Sequence, residues 1–383
     1  MNILYVVRYP MNEIFSIKQK IDGQIKGFQN LGNTVSYLCY DENNVYLNEN
    51  GNCSILGRTL FGKSKLYLHL FSYVDLYKYC LSVIKNNSYS LIYIRSAPLN
   101  RYAYQLFKVA SSKSKIVVEN PSYSKVGTEK SQSILRSIYG IYSGALKKKI
   151  SKYVDLYVLI GEKDDRFLMR PAININNAVS LNGVNIKKDI TPTDGKIHIL
   201  ALASMSEWHG YDRLIRGIAQ MKEEDRRQYV VDMVGDEGDG SLTKWKELSN
   251  KLALQDVVQF HGRKSGDELS YFFDIAKIGV SSLGFYRTGF TTGSVLKLRE
   301  YMARGIPFIY AHDDPDIDEC MDWCLKIPND STPVNMENVS MFIERIEKIP
   351  NLSERMRTYA KTEMTWEAQL QKVFEELDKC KKS

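Results

Sequence analysis

The sequence predicts an α/β protein made of two doubly wound domains, each with a mainly parallel sheet. Short apolar segments of strand length alternate with longer amphipathic segments of helical period, and this alternation occurs twice. The polar segment 191–195, TPTDG, lies between the two alternations and is typical of a linker. The length of 383 residues exceeds what one core usually holds and suits two domains.

The first alternation predicts a parallel sheet, because strands separated by helices form βαβ units. Its strands are rich in Ile, Val, Leu and Tyr and are predicted at 3–7, 35–40, 91–95, 115–120 and 155–160. Its helices repeat apolar residues at helical spacing and are predicted at 16–31, 71–86, 100–110 and 132–153. Residues 41–70 contain many Asn, Gly and Ser residues, and we expect an irregular excursion there.

The second alternation has the same form. Its strands are predicted at 198–203, 229–234, 257–261, 277–281 and 307–311, and its helices at 211–222, 242–254, 267–276 and 294–304. A final helix is predicted at 364–379, where Trp366, Leu370 and Val373 recur at helical spacing. We therefore expect a first domain at 1–190, a second at 191–362 and a terminal helical segment at 363–383.

Composition limits the class of protein. Hydrophobic residues make up 44% of the chain and charged residues 25%, as in soluble globular proteins. No apolar run approaches the roughly 20 residues that span a bilayer, and the first ten residues predict a strand rather than a signal peptide. The six cysteines have no disulfide spacing and no second pair that would complete a zinc site, so we expect reduced thiols and a cytoplasmic protein.

Positive charge is concentrated in the first half. Residues 1–190 hold 26 Lys and Arg against 13 Asp and Glu, whereas the remainder holds 26 against 32. A basic half suits an anionic membrane or nucleic acid. Because no sequence motif of a nucleic-acid-binding module is present, nucleic acid is not an expected partner.

The segment 289–311, GFTTGSVLKLREYMARGIPFIYA, predicts a loop, a helix, a turn and a buried strand. Its helix has two faces, one polar or ionic (Lys297, Glu300, Tyr301 and Arg304) and one facing the core (Val295, Leu298 and Met302). The small residues 291–294 leave the first backbone N–H groups of the helix available for an anion. The combination favours a phosphorylated ligand.

This segment resembles the ligand-binding helix of GT-B glycosyltransferases, in particular family 4 (group 1). The family sequence runs Glu, seven residues, Glu, then AMAxGxP and a strand. Glu300 matches the second glutamate, and residues 301–307, YMARGIP, match the AMAxGxP motif. Thr292 stands at the first glutamate, which contacts the transferred sugar in the family. The resemblance implies two Rossmann-like domains facing each other across a cleft.

Further segments match the family in the expected order. Residues 203–212, ASMSEWHGYD, resemble its phosphate loop, with Ser204 at the arginine position and His209 at the lysine position. Gly235 in VGD and Arg263 in FHGR resemble the ends of its second and third strands. The segment 181–184, LNGV, resembles the end of its first domain, and the terminal helix resembles the one that crosses back.

The resemblance implies a donor site and a role for several of its residues. Lys297 would contact the leaving diphosphate or be a solvated helical lysine, and Glu300 would accept hydrogen bonds from the ribose or pair with Arg304. His209 would either donate to phosphate, with its pKa raised by the anion, or be an ordinary loop histidine. The expected donor-binding residues are Ser204, His209, Gly235, Arg263, Thr292, Gly293, Ser294, Val295, Lys297 and Glu300.

Acceptors in this architecture approach from the first domain. The family's glycine-rich loop after the first strand corresponds here to residues 8–10, RYP, and residues 119–123, ENPSY, follow a later strand. Arg8, Asn120 and Tyr123 are therefore the expected acceptor-binding residues. Glu119 is either the general base that an inverting reaction needs or a buried structural carboxylate.

No cofactor or metal is expected, because GT-B enzymes stabilise the leaving diphosphate with helix termini and basic side chains. Asp314 and Asp316 have the spacing of a metal-binding pair, but the surrounding HDDPD sequence more simply predicts a polar turn.

Residues 132–152 join an apolar helical stripe to a basic run that includes Lys147, Lys148 and Lys149. This pattern indicates either a helix lying on an anionic membrane surface or a packed helix with a solvated basic end. The protein is therefore expected in the cytoplasm, either unattached or peripheral on the inner face of the cytoplasmic membrane.

These observations predict a metal-independent hexosyltransferase of bacterial polysaccharide or glycoconjugate biosynthesis. It would move a sugar, with retention, from a nucleotide-sugar donor, favoured as a UDP-sugar, to a growing glycan that is either soluble or lipid-linked. Two alternatives stay open. The chain is a nucleotide-sugar epimerase of the same fold, or an inactive scaffold in which Thr292, Ser204 and His209 replace catalytic residues.

Overall fold

A computed structural model describes residues 1–10, 16–40, 43–59, 72–96, 98–123 and 134–380, with the side chains of 134–141 left undescribed. The chain divides into two compact units, Met1–Ser180 with Trp366–Ser383, and Leu181–Thr365. Residues 71 and 132–133, at the starts of two predicted helices, lie outside the described residues. Each unit is a doubly wound α/β domain, which confirms the predicted fold class.

The first unit has a nine-stranded sheet in the order β4-β3-β2-β1-β5-β6-β7-β9-β8 within the described residues. Strands β1, β2, β5, β6, β7 and β9 pair in parallel, and antiparallel pairs occur at both edges. The strands are β1 (Asn2–Pro10), β2 (Thr34–Tyr40), β3 (Asn44–Glu49), β4 (Asn52–Arg58), β5 (Leu91–Arg95), β6 (Lys115–Tyr123), β7 (Leu156–Gly161), β8 (Arg166–Phe167) and β9 (Arg170–Asn174).

Helices cover both faces of this sheet. Those of the first unit are α1 (Ser16–Asn30), α2 (Ser72–Asn86), α3 (Arg101–Ala110), α4 (Ile134–Ser151) and α12 (Trp366–Lys379). Two apolar cores result, one against α2, α3 and α4 and one against α1 and α12. Trp366 packs over α1, and a Cβ added at Gly23 would lie 2.3 Å from its indole nitrogen. The terminal helix therefore belongs to the core of the first unit.

Two sequence predictions for this unit are wrong. Part of the predicted irregular excursion, residues 44–58, forms the hairpin β3–β4, whose Asn50 and Gly51 both have positive φ. This turn type suits the twist of paired strands, and the alternating residues Val45 and Leu47 are buried. The predicted loop at residues 8–10 is instead the end of β1, where Tyr9 and Pro10 pair with β2. Residues 41–42 and 60–70 of the excursion lie outside the described residues.

The second unit has a six-stranded, wholly parallel sheet in the order β12-β11-β10-β13-β14-β15. Its strands are β10 (Ile197–Leu202), β11 (Tyr229–Val234), β12 (Val258–Gly262), β13 (Ala276–Val280), β14 (Phe308–Tyr310) and β15 (Cys324–Lys326). Its helices are α5 (Tyr211–Gln220), α6 (Glu223–Arg226), α7 (Ser241–Lys251), α8 (Gly266–Ile275), α9 (Leu296–Arg304), α10 (Met336–Glu347) and α11 (Leu352–Glu363).

The unit begins before the predicted boundary at residue 190. The backbone N–H of Lys187 donates to the Arg304 carbonyl at 2.9 Å, and its ammonium donates to the Ala276 carbonyl at 3.1 Å. The Lys188 backbone N–H donates to the Asp274 carboxylate at 2.9 Å. Residues 187 and 188 are thus held by the second unit.

Candidate functional site

The carboxyl ends of β10 and β13 form the switch point of the second sheet, because the chain leaves β10 toward β11 while β13 lies on its other side. The loops that follow these two strands are in close contact. The Leu283 backbone N–H donates to the His209 carbonyl at 2.8 Å. Gly210 has φ +65, and a Cβ there would lie 2.3 Å from the Gly284 nitrogen. Glycine at this position therefore allows the two loops to meet.

Lys297 lies at this switch point, on the first turn of α9, with only 9% of its surface exposed. Its ammonium donates to His209 Nδ1 at 2.9 Å and to the Tyr211 hydroxyl at 2.7 Å. It also lies 5.9 Å from the ring centre of Trp208. Burial lowers the pKa of Lys297 well below its ordinary value. Among the described residues, no carboxylate forms an ion pair with this ammonium.

The two hydrogen-bond partners of Lys297 are neutral. Burial, together with the adjacent Lys297 charge, lowers the pKa of His209 to about 2. Its Nδ1 therefore accepts hydrogen bonds, and the Ser282 hydroxyl lies 3.2 Å from it. Burial raises the pKa of Tyr211 well above its ordinary value, so the phenol keeps its proton. Without a ligand, burial and the Lys297 charge both oppose protonation of His209. The hypothesis of a charged His209 concerns the anion-bound site and stays a prediction.

Among the described residues, no side chain caps the amino end of α9. The helix begins at Leu296, and the Val295 side chain cannot accept a hydrogen bond from its first amides. In contrast, Glu237 closes the amino end of α7 by accepting from the backbone N–H groups of Gly240, Leu242 and Thr243 at 2.8–3.2 Å. The amino ends of these two helices therefore differ in how their first amides are bound.

The residues before α9 are held in place by neighbouring loops. Thr292 forms a parallel bridge with Asp313, and the Gly293 backbone N–H donates to the Asp313 carbonyl at 2.9 Å. A Cβ at Gly293 would lie 2.5 Å from the Phe285 ring, so only glycine fits without movement of that ring. Ser294 is half-buried beside it. The run of small residues thus brings backbone, rather than side chains, to the start of the helix.

The predicted division of α9 into a polar and an apolar face is wrong. Tyr301 is fully buried, and its hydroxyl donates to the Leu200 carbonyl at 3.1 Å. Lys297 is buried on the same side, and the opposite side also packs inward. Glu300 is the half-exposed ionic group, and it accepts a hydrogen bond from Arg304 at 3.1 Å. The helix is therefore enclosed around most of its circumference.

The other predicted donor residues follow the neighbouring strands. Ser204 is exposed after β10, and its backbone forms a hydrogen bond with the His209 ring. Gly235 has φ +140 after β11, where a Cβ would lie 1.7 Å from the Ala203 carbonyl oxygen. Arg263 is exposed after β12. These residues form a row along the carboxyl edge of the sheet, and the structure joins Ser204, His209 and Lys297 directly.

Asp314 and Asp316, the pair with metal-binding spacing, both bind Arg299. Arg299 is fully buried on α9 and contacts both oxygens of Asp314, one of them at 2.7 Å. The same guanidinium donates to Asp316 at 2.5 Å. Burial lowers the pKa of Arg299, but the two carboxylates outweigh this effect and raise it above its ordinary value. Both carboxylates are therefore part of an internal ion-pair network.

Glu119 lies in a similar network in the first unit, near the switch point between β1 and β5. Its carboxylate is fully buried and accepts from Gln24 at 2.5 Å, Tyr93 at 2.8 Å and Arg95 at 2.7 Å. Gln24 in turn accepts from the Tyr5 hydroxyl at 2.5 Å. This enclosure corresponds to the structural role that the sequence left open for Glu119, rather than to a general base that reaches substrate.

The predicted acceptor residues lie at different places in the first unit. Arg8 is half-buried in β1. The Tyr123 hydroxyl, at the end of β6, donates to Asp164 at 3.0 Å. Asn120 lines a small cavity. The cavity is otherwise mainly apolar, with Tyr77, Ile94, Leu99, Phe107, Val118, Ile150, Tyr157, Phe167 and Leu168 around Ser96 and Lys147.

The Asn120 side chain brings a polar group into these apolar surroundings. Its Nδ2 is buried without a hydrogen-bond partner among the described residues. A buried amide of this kind is costly unless a ligand or water satisfies it. The mainly apolar lining therefore includes an amide group whose donors have no protein partner among the described residues.

Sequence reasoning missed several residues that build the second-unit site. Tyr211 and Ser282 contact the Lys297 and His209 pair, and Arg287 holds their loop by donating to Asp212 at 2.8 and 2.9 Å. The ASMSEWHGYD match gave only the neighbourhood of Tyr211. Nothing in the sequence near Ser282 or Arg287 indicated these long-range contacts.

Comparisons with known proteins identify the family of the second unit. Residues 184–363 match the family model for glycosyl transferases group 1. A search of curated protein sequences gives no match. The described residues contain no helix long and apolar enough to cross a membrane.

Solved glycosyltransferases and related enzymes share the fold over nearly the whole chain. A glycosyltransferase from Rickettsia africae has a TM-score of 0.64 at 16% identity and covers 100% of this chain and 99% of its own. HepE from Anabaena in complex with UDP has a TM-score of 0.62 at 14% identity, covering 99% and 100%. Sucrose-phosphate synthase from Thermosynechococcus elongatus has a TM-score of 0.62 at 16% identity, covering 98% of each chain. The chain thus has the GT-B fold, and a domain that matches the glycosyl transferases group 1 family model occupies its second unit, which identifies the protein as a glycosyltransferase.

Proposed function

We propose that the second unit binds a UDP-sugar through the Lys297 cluster and that the enzyme transfers its hexose, with retention, to a lipid-linked glycan. The observation that carries the donor site is the buried Lys297 ammonium, which has neutral hydrogen-bond partners at the carboxyl end of a parallel sheet. A buried cation without a counter-charge is unfavourable until an anion reaches it. A diphosphate supplies that charge.

The bond between the sugar and the diphosphate breaks during transfer, and negative charge develops on the leaving group. Lys297 and the first amides of α9 are proposed to stabilise that charge without a metal. His209 accepts a hydrogen bond from Lys297 and orients the ammonium, and Tyr211 acts in the same way. Glu300 is proposed to accept hydrogen bonds from the ribose, although it also pairs with Arg304.

The choice of UDP is supported by one structural relative. HepE from Anabaena has been solved with UDP and with UDP-glucose. Starch synthase IV from Arabidopsis thaliana, another enzyme with this fold, has been solved with ADP and acarbose, so ADP is the competing nucleotide. Ser204, Gly235 and Arg263 are proposed to line the remainder of the donor site along the sheet edge.

The acceptor is proposed to bind the first unit. The apolar cavity and the Asn120 amide suit a group that is mostly hydrocarbon but carries a hydrogen-bond acceptor. Lys147, Lys148, Lys149 and Lys152 are exposed at the end of α4 and suit the anionic surface of a membrane. Retention is favoured by the family and by Glu119, whose carboxylate is fully used inside the protein.

Titration calorimetry with UDP tests the donor site. If diphosphate binds beside Lys297, it raises the lowered pKa of this amine, so binding takes up protons at pH values between the lowered and the raised pKa and weakens as the pH rises through that range. His209 and Tyr211 are neutral in the absence of ligand, and the proton uptake that Lys297→Met abolishes is assigned to Lys297. Titrations in buffers of different ionisation enthalpy measure the proton uptake.

Lys297→Met should weaken UDP binding by about tenfold or more and abolish the proton uptake, because a charged partner is worth roughly 1.5–3 kcal/mol. Lys251→Met, at an exposed position on α7, is the matched control and should bind like the wild type. Unchanged affinity and unchanged proton uptake in Lys297→Met would reject the site.

Slow hydrolysis of the bound donor tests the reaction itself. We expect free sugar and UDP from UDP-glucose or a related donor, and proton NMR of the first product reports the retained anomer. Conversion of one UDP-sugar into another would indicate an epimerase. Binding without either reaction, in the presence of extracted membrane lipid, would indicate a scaffold.

A further inference from the structure

The turn between β8 and β9 has an unfavourable backbone conformation. It presents an apolar side chain to solvent. Phe167 and Arg170 pair across the hairpin, and the two residues between them are Leu168 and Met169. Both have positive φ, 48° and 64°. Two-residue hairpins favour this turn but prefer Asn and Gly in it, since side chains such as Leu and Met strain the backbone.

The two turn residues point to different surroundings. Leu168 packs against the first-unit core and lines the cavity with Lys147 and Ile150. Met169 is 85% exposed, more than any other large apolar side chain among the described residues. The strained turn therefore packs one apolar residue, half-buried, against the core and presents the other to solvent.

The hairpin is held rigidly against the end of α4. The Ser151 hydroxyl donates to the Leu168 carbonyl at 2.8 Å. Arg170 Nε donates to the Val154 carbonyl at 2.6 Å. The Phe167 ring lies edge-on to Tyr157 at 4.9 Å between ring centres. Because these contacts fix its base, Met169 projects from a firm support rather than from a loosely packed loop.

Basic residues are frequent in the two segments that meet at this hairpin. Lys147 lines the same cavity as Leu168, and Lys148, Lys149 and Lys152 are exposed at the end of α4, the end that contacts the hairpin. Exposed Arg166 and half-buried Arg170 flank the turn, while Asp165 is an exposed acidic residue next to the hairpin. Basic residues thus outnumber acidic ones in the exposed part of these two segments.

We propose that the Leu168–Met169 turn is a membrane-insertion tip, with Met169 entering the hydrocarbon boundary of an anionic bilayer and the lysines of α4 contacting its headgroups. An exposed apolar residue on a segment that contacts a basic helix end matches the depth profile of such a surface, where acyl chains lie below anionic phosphates. This inference rests on the proposed membrane association and adds the residue that enters the lipid.

Fluorescence of Met169→Trp tests insertion. Phosphatidylcholine vesicles with phosphatidylglycerol should shift the added emission to the blue, and brominated lipids should quench it. Met341→Trp is the matched control, because Met341 is 55% exposed on α10 of the second unit. Its emission should not change. Vesicles of phosphatidylcholine alone should bind weakly in both cases.

Sedimentation with the same anionic vesicles measures the contribution of the tip. Met169→Gln should partition about tenfold less than the wild type, whereas Met341→Gln should not differ. Met169→Gly should partition equally poorly while its thermal midpoint stays the same or rises, because glycine relieves the positive φ. If Met169→Gly is fully folded but binds vesicles weakly, the loss of binding is due to lost insertion and not to misfolding.

These experiments distinguish insertion of Met169 from the electrostatic membrane association on which the proposal rests. If Met169→Gln binds anionic vesicles like the wild type while Lys147→Glu/Lys148→Glu/Lys149→Glu does not, attachment is electrostatic and insertion is overturned. If the wild type ignores the vesicles, both membrane proposals are overturned. UDP binding in solution by Met169→Gln should equal that of the wild type in every case, which leaves the donor site as a separate question.

Discussion

Polar clusters lie at the switch points of both sheets. They differ in whether the buried charge has a partner of opposite charge. In the first unit, the buried Glu119 carboxylate meets the Arg95 guanidinium and two further donors, so each charge has its partner. In the second unit, the buried Lys297 ammonium meets a neutral imidazole and a neutral phenol. Both clusters are almost fully buried, and both use side chains from more than one element.

We propose that this difference separates a structural network from a ligand site. A closed ion-pair network gains nothing from an outside charge, and removing one member exposes the full cost of the other. A cation with neutral partners is destabilised by burial and gains most when an anion arrives. Topology alone marks both switch points as possible sites, and the local balance of charge favours the second.

The largest effect is expected from breaking the closed network. Glu119→Gln should destabilise the first unit by about 3–5 kcal/mol, because it leaves Arg95 buried without its counter-charge. Lys297→Met should leave the second unit as stable or make it more stable, since it removes a buried charge. Hydrogen exchange in β5 and β6, and in β10 and β13, measures the two units separately.

A double variant provides the control for the first comparison. Glu119→Leu with Arg95→Met removes both charges and should lose less stability than Glu119→Gln alone. If the single and double variants are equally unstable, the network is not stabilised by the pairing of its charges. If Lys297→Met is the more damaging substitution for folding, the contrast between the two units is wrong.

The next largest effect concerns Glu300, at the exposed edge of the second cluster. Glu300→Gln should weaken UDP binding by roughly 1.5–3 kcal/mol if the carboxylate accepts from the ribose. Its pairing with Arg304 spans one helical turn at the surface and is worth only about 0.3–0.5 kcal/mol of stability. UDP affinity and thermal unfolding, measured together, separate the two roles.

Arg304→Gln serves as the control for Glu300→Gln. It removes the ion pair while keeping the carboxylate, so UDP affinity should stay close to that of the wild type. Equal loss of affinity in both variants would assign the effect to the helix rather than to a ribose contact. No loss in Glu300→Gln would remove this residue from the donor site.

Periodicity predicts ten of the parallel strands and most helices, but not the parallel strands β9 and β15 or the helices α6, α10 and α11. The composition of residues 41–70 predicts irregular structure and conceals the β3–β4 hairpin, although Asn50-Gly51 is the strongest local signal for such a turn. The antiparallel β8–β9 hairpin gave no such signal, since its turn residues are Leu168 and Met169. A strained turn cannot be recognised from turn preferences.

The site was predicted less completely than the fold. Family motifs drew attention to Lys297 and His209, but burial and charge state depend on residues that are distant in sequence. Lys297 was expected on a polar face, and the structure buries it against Tyr211, a residue 86 positions earlier. Helical spacing gives the direction of a side chain but not what covers it.

A smaller effect on the free energy of unfolding is expected from His198 and Asp232, an ion pair in the second unit. His198 lies near the amino end of β10. Burial alone would lower the pKa of His198, but Asp232 at 2.7 Å and Asp194 at 3.3 Å outweigh burial and raise it. The stabilisation is therefore complete below the ordinary pKa of about 6.5 and is lost as the pH rises through the raised value. Asp232 also lies 2.8 Å from His261.

Urea unfolding of the wild type and His198→Gln across this range tests the pair. The stability difference between them should shrink as the pH rises, while UDP affinity at a fixed pH should be the same in both. A difference that grows with pH would contradict the sign. Loss of UDP binding in His198→Gln would mean that this ion pair and the Lys297 cluster are coupled.

The smallest effect on activity is expected from removing divalent metal ions. Arg299 binds both Asp314 and Asp316 in a closed network like that of Glu119, so these carboxylates are already compensated inside the protein. Lys297 and the α9 amides are proposed to stabilise the diphosphate instead. Initial rates of UDP release from a UDP-sugar should therefore be the same in excess EDTA and after adding Mg²⁺ or Mn²⁺. Complete loss of UDP release in EDTA, with recovery in Mn²⁺, would show that carboxylates paired with Arg299 can still bind a metal. The presence of an opposite charge would then no longer distinguish a structural network from a ligand site.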